Sequence, residues 1–214
     1  QPYFNEWSSN FGPTVKIVNN IPLTFWLFVI GSIYLFYHML HAFTRKDRFG
    51  LTASYTFFLI AIIFSRKDPS SILNGVNSTS LLLYALGFIV LGGSFLYYYY
   101  KLHKKGEDSF KHIDIGAQLL FAFFFFSIVS ARGAVRLIMV LVPAASIMIS
   151  YFAVSSISDA RHAKSDLGKL ICYIIASLVL LSLIFSGYQL FKVSEYSAGG
   201  FIPSSYTQQW QKAM

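Results

Sequence analysis

Apolar runs separated by short polar stretches, most of them basic, set the pattern of this chain. The runs cover about residues 22–43, 49–64, 81–100, 113–129, 133–156 and 170–191. None alternates with period two, and nearly all are far longer than a strand, so each predicts a helix. At 1.5 Å per residue, a run of about 20 residues crosses a hydrocarbon core of ~30 Å. The punctuation is of turn type: Thr44-Arg-Lys-Asp-Arg48, the Pro- and Gly-containing stretch Ser65 to Ser80, Lys101 to His112, and Ser158 to Asp166. Pro22 stands at the start of the first run, where a missing N–H does no harm. Pro143 lies inside the fifth, where it predicts a kink. Residues 1–21 read as an external loop segment and 192–214 as a polar external tail.

Composition turns this pattern into a fold class. The chain has 214 residues, 55% of them hydrophobic and only 12% charged. Soluble domains carry about twice that charged fraction. The reading is an all-α, polytopic transmembrane helical bundle of about six spans, an integral membrane protein. Tyr97 to Tyr100 form an aromatic belt at the end of the third run. The net charge of +8 calls for no nucleic-acid partner, because the charges sit between apolar runs rather than in a stripe on a soluble surface. Cys172 is the single cysteine, so an intramolecular disulfide and a CxxC site are both excluded. No start methionine is present, and the chain reads as a piece of something longer.

Basic residues orient the spans. With the N-terminus external and six spans crossed, the internal connections hold Arg45, Lys46, Arg48, Lys101, Lys104, Lys105, Lys111, Arg161, Lys164 and Lys169. The external side holds Lys16, Arg66, Lys67, Arg132, Arg136, Lys192 and Lys212. Ten against seven favours both termini outside, and two of the seven are unusual. Arg132 and Arg136 stand at the start of the long apolar fifth run, four residues apart, one turn above the other on a helix. Guanidinium groups beside hydrocarbon are costly unless they hold something. Planar forks suit an anion at the membrane surface, and a diphosphate suits a stacked pair. Snorkelling to ordinary lipid phosphates is the plainer alternative. No Gly-rich phosphate loop, HExxH, GxSxG or metal-ligand cluster is present. Asn77-Ser-Thr79 is an N-glycosylation acceptor triplet on the expected outer side.

Ser130-Ala-Arg-Gly-Ala-Val-Arg-Leu-Ile-Met-Val-Leu-Val-Pro143 resembles a late transmembrane helix in the catalytic subunit of oligosaccharyltransferase. There, basic residues are followed by an Arg-Leu or Arg-Phe pair and a proline about seven residues on. The ending, Ser204-Ser-Tyr-Thr-Gln-Gln-Trp-Gln-Lys-Ala-Met214, is similar to the segment leading from that family's last span into its soluble domain. The opening Gln1-Pro-Tyr-Phe-Asn-Glu-Trp, with Phe11-Gly12-Pro13, is similar to the sequence after its external-loop glutamate motif. The resemblance runs over nearly the whole chain and is most specific in the arginine stretch and the tail.

The resemblance implies the C-terminal half of the transmembrane domain of a GT-C-type, archaeal-like glycosyltransferase in a prokaryotic cell membrane. Such an enzyme moves an oligosaccharide from a lipid-linked (pyro)phosphate carrier to asparagine of N-x-Ser/Thr acceptors, which makes the lipid-linked oligosaccharide and the acceptor polypeptide its partners. It implies Mg²⁺ or Mn²⁺ held by acidic residues outside this segment, and a soluble domain with a WWDYG motif beyond residue 214. Arg136 and Arg132 match the family position that contacts the carrier phosphate, so the expected site residues bind substrate; no catalytic or metal-binding residue is expected here. Glu6 follows the position of the glutamate motif and receives no catalytic role. Besides a non-catalytic scaffold subunit, two alternatives remain at this point. One is the transmembrane domain of a secondary transporter, which would need ionisable residues near the midplane. The other is a different lipid-carrier glycosyltransferase or ligase, which could use the same arginine chemistry.

Overall fold

The computed structural model describes residues 16–18, 21–66, 71–106, 110, 113–133, 138–162 and 166–199. The fold is all-α. Its helices are α1 (Leu23–Met39), α2 (Arg45–Phe64), α3 (Ser78–Lys105), α4 (Ile115–Gly133), α5 (Ile138–His162) and α6 (Asp166–Gly199). A minimal antiparallel ribbon, β1 (Lys16–Val18) against β2 (Ile21–Pro22), leads into α1. Four helices are long and apolar enough to cross a membrane: Arg45–Phe64, Ser78–Lys105, Val140–His162 and Asp166–Gln189. The apolar parts of α1 and α4, Thr24–Met39 and Ile115–Ala131, are shorter.

Every apolar run became a helix, but the boundaries moved. The helix α3 continues past the tyrosines to Lys105 and stops at Gly106, whose φ of 70° is left-handed. Glycine adopts that conformation without the Cβ penalty. Likewise α6 continues beyond Lys192 to Gly199, where a polar tail was expected. The stretch read as the loop Ser158–Asp166 is mostly helix: α5 runs to His162 and α6 begins at Asp166. Hydropathy marks the length of hydrocarbon a helix meets, whereas caps and glycines decide where it ends. The first span is shorter than the expected 22–43, since α1 ends at Met39. Pro143 lies inside α5, as its position in the fifth run implied.

The helix α1 packs against α2, α4, α5 and α6, while α2 with α3 and α5 with α6 form close pairs. Phe25, Phe28, Leu35, Phe36 and Leu40 of α1 are buried. Its rings meet neighbours on three sides: Phe36 stacks on Tyr55 of α2 at 4.4 Å, Phe28 meets Phe124 of α4 at 5.6 Å, and Tyr34 meets Phe152 of α5 at 5.2 Å. Two glycines let backbones close in. A Cβ on Gly31 would stand 2.9 Å from the Met148 carbonyl oxygen of α5, and one on Gly87 2.8 Å from the Ala61 Cβ of α2. Small residues at crossings are how membrane helices gain dispersion contact when lipid removes the hydrophobic drive. Four hydroxyls are satisfied within their own helices: Thr52, Ser127, Ser156 and Ser186 each donate to the carbonyl four residues back. Ser54 and Ser94 also share a 2.8 Å hydrogen bond between α2 and α3.

Helix direction alternates, and contacts along one end confirm it. The Lys101 ammonium near the end of α3 lies 2.5 Å from the Asp47 carboxylate at the start of α2. Phe43, just before α2, meets Phe110 beyond α3 at 4.8 Å. Asp159, in the last turn of α5, meets Tyr34 and His38 near the end of α1. The three basic connections therefore share one end of the bundle. The ribbon, the 65–77 connection and the α4–α5 connection share the other.

Candidate functional site

The arginine stretch falls at the end opposite the basic connections. Arg132 belongs to α4, which is described as far as Gly133, and α5 is described from Ile138. Arg136 lies outside the described residues, as does the side chain of Arg132. The one-turn stacking of the pair is therefore still a sequence expectation.

At the basic end, the chain builds polar structure that hydropathy did not reveal. The Tyr34 hydroxyl donates to Asp159 Oδ2, and His38 Nε2 lies 3.9 Å from Oδ1 of the same carboxylate. The rings of Tyr34 and His38 stack at 5.8 Å, and Tyr151 stands 6.5 Å from each. Beside them opens a cavity of about 530 Å³ lined by Leu35, His38, His41, Asp114, Leu120 and Tyr151. Asp114 also caps α4 by accepting the Ala117 N–H at 2.8 Å. Tyr34 and His38 are spaced i, i+4, and Tyr151 and Asp159 are spaced i, i+8. Each pair therefore shares a helix face, and that spacing was the available signal. Asp159 was read as part of a loop, which hid it. The cluster clamps α1 to α5 where both helices end.

A second polar cluster joins α2 to α3. Thr44 caps α2: its hydroxyl accepts the Asp47 N–H at 3.5 Å and donates to Asp47 Oδ2 at 2.8 Å. Asp47 is only 3% exposed, and Lys101 supplies its counter-charge. The Tyr98 ring lies 5.4 Å below the Lys101 ammonium, and its hydroxyl occupies the notch left by Gly50. Arg48 is spent on the backbone and on a ring: its Nε donates to the Tyr37 carbonyl at 2.6 Å, and its guanidinium covers the Tyr37 ring at 3.5 Å.

Among the described residues, no three His, Cys, Asp or Glu side chains come together to hold a metal ion. No chemical step is assigned to the divalent cation implied by the resemblance. What these residues can do is structural at the basic end. No protein-family model, no curated protein and no solved structure matches the chain.

Proposed function

We propose that the chain is the C-terminal half of the membrane domain of an oligosaccharyltransferase. In that role it holds the phosphate of a lipid-linked oligosaccharide while the glycan passes to asparagine in an N-x-Ser/Thr sequence. The observation that carries the reading is the stretch Ser130–Pro143, with Arg132 in α4 and Arg136 four residues further along the chain. Cleavage of a sugar–phosphate bond leaves negative charge on the phosphate. Fixed cations at that point stabilise the departing group. Arginine suits the task because it stays charged and binds phosphate oxygens in pairs. Metal chemistry and recognition of the acceptor hydroxyl belong to other parts of the protein in this reading. Secondary transport fits less well. The Asp, Glu, Lys, Arg and His residues of the described helices lie within the first or last two turns, not at mid-span.

The test is a transfer assay. Full-length protein, membranes containing the lipid-linked donor and a fluorescent peptide carrying Asn-x-Thr are incubated together. Formation of glycopeptide, lost when the acceptor asparagine is replaced by glutamine, supports the reading. No glycopeptide from a donor that a known oligosaccharyltransferase can use would overturn it.

The same reading is multi-pass, with all six helices crossing the membrane, the basic connections inside and both termini outside. It is supported by the alternating helix directions and by the charge count. Ser109→Cys, made in a Cys172→Ala background, places a single thiol in the α3–α4 connection. An impermeant maleimide should leave it unlabelled in intact cells and label it after permeabilisation. Labelling in intact cells would reverse the orientation.

A further inference from the structure

A cleft of about 540 Å³ opens at the basic end of the bundle, between the end of α1 and the start of α2. Tyr37 of α1 forms one wall, and Arg45, Lys46 and Phe49 of α2 form the other. The tyrosine wall is fixed in place, because Arg48 covers the Tyr37 ring and donates to the Tyr37 carbonyl. Arg45 and Lys46 are exposed, and among the described residues neither has an ion-pair partner. The nearest carboxylate along the chain, Asp47, is already held by Lys101 and Thr44. Nor does the helix account for the two cations. They stand on the first turn of α2, the end whose dipole disfavours positive charge. A general excess of basic residues between spans explains cations at this end of the bundle. It does not explain two of them lining one cleft with a phenol and an exposed phenylalanine.

The cations and the apolar surface share one face. At 3.6 residues per turn, Arg45, Lys46, Phe49, Ala53, Phe57 and Ile60 fall within an arc of about 120° of α2. All six are exposed, while Leu51, Tyr55, Phe58 and Ile62 on the opposite side are buried. The outward face of α2 is therefore a single stripe that opens with two cations and continues as apolar side chains. From Phe49 to Ile60 it is about 16 Å long, comparable with the hydrocarbon depth of one leaflet. Tyr37 adds an amphipathic ring of the kind favoured at headgroup level.

We propose that the cleft between Tyr37 and the Arg45–Lys46–Phe49 turn is a binding site for an anionic phospholipid. The phosphate lies between Arg45 and Lys46, and an acyl chain runs from Phe49 along the exposed face of α2. The charge supplied by the lipid offsets two cations that the protein leaves unpaired, and the guanidinium can hold two phosphate oxygens at once. A phospholipid of no net charge satisfies the apolar stripe but leaves a positive excess at the cleft. The site belongs to the basic end of the bundle and uses neither Arg132 nor Arg136, so it stands apart from the glycan-transfer reading and can fail without it.

The test uses full-length protein reconstituted with equal amounts of phosphatidylglycerol and phosphatidylcholine, then extracted in mild detergent. Retained lipid is identified by mass spectrometry. Phosphatidylglycerol should be retained in preference. The double variant Arg45→Gln/Lys46→Gln should lower that preference by about five-fold for each cation removed. Its melting temperature should not fall, since both side chains are exposed and unpaired. The variant Lys104→Gln/Arg161→Gln removes the same charge from exposed positions at the same end but outside the cleft, and it should keep most of the preference. Glycerol phosphate, which carries the anion without acyl chains, should not displace the retained lipid. Equal retention of the two lipids by the parent protein would overturn the proposal. An equal loss of preference in the two double variants would do so as well, because it would assign the effect to the net charge of that end. Displacement by glycerol phosphate would make the ligand a soluble phosphate and overturn the lipid assignment.

Discussion

In the full-length protein, Arg136→Ala is expected to lower glycan transfer by about 10²–10³-fold, the usual cost of removing one preorganised donor from a developing charge. Protein abundance should hardly change. Arg136→Lys separates charge from geometry. A lysine keeps the cation but not the planar fork, so it should recover part of the lost transfer and leave a deficit of about ten-fold or more. The loss should fall on the maximal rate as well as on donor affinity, because charge on the leaving phosphate builds up in the transition state. Arg132→Ala should cost less, since Arg136 is the closer match to the family position that contacts the carrier phosphate. Unchanged transfer by Arg136→Ala in membranes with normal expression would remove the phosphate-binding role.

How much of this was legible depends on the range of the interaction. Six helices could be read because each apolar run is longer than a strand and continuous with its own helix. Ends were harder. Gly106 stops α3, yet Gly87 and Gly31 lie inside helices, where they serve close packing. A glycine in a linear sequence does not say which of these it does.

The polar clusters were the least visible. The Asp47 and Lys101 charges are 54 residues apart, and Tyr34 and Asp159 are separated by 125. Nothing local marks such a partner. The local half of the first cluster, Thr44-x-x-Asp47, has the spacing of a capping pair and announces the start of α2 four residues ahead of the expected 49. Asp159 sits among Ser, Arg and His, so its composition reads as loop. Its burial partner on α1 is what makes it part of the bundle.

The larger stability effect is expected from the Asp47–Lys101 pair. Lys101→Met keeps most of the side-chain volume and removes the charge 2.5 Å from Asp47. Asp47 then remains almost wholly buried, with the Thr44 hydroxyl, the positive end of α2 and the more distant Lys105 as compensation. Breaking a fully buried pair costs about 3–5 kcal/mol. The Lys101 side chain is 34% exposed, and water reaching it reduces the figure here to about 2 kcal/mol. At about 2–4 °C per kcal/mol for a chain of this size, the melting temperature in detergent should fall by about 4–8 °C. Asp47→Asn should cost only about 1 kcal/mol, because it removes the buried charge and leaves a lysine able to turn to water. The double variant then decides the matter. If the stranded carboxylate is what destabilises Lys101→Met, adding Asp47→Asn should recover stability rather than add a second loss. Additive losses, or a Lys101→Met protein melting within about 1 °C of the parent, would mean that Asp47 is held by its helix terminus alone.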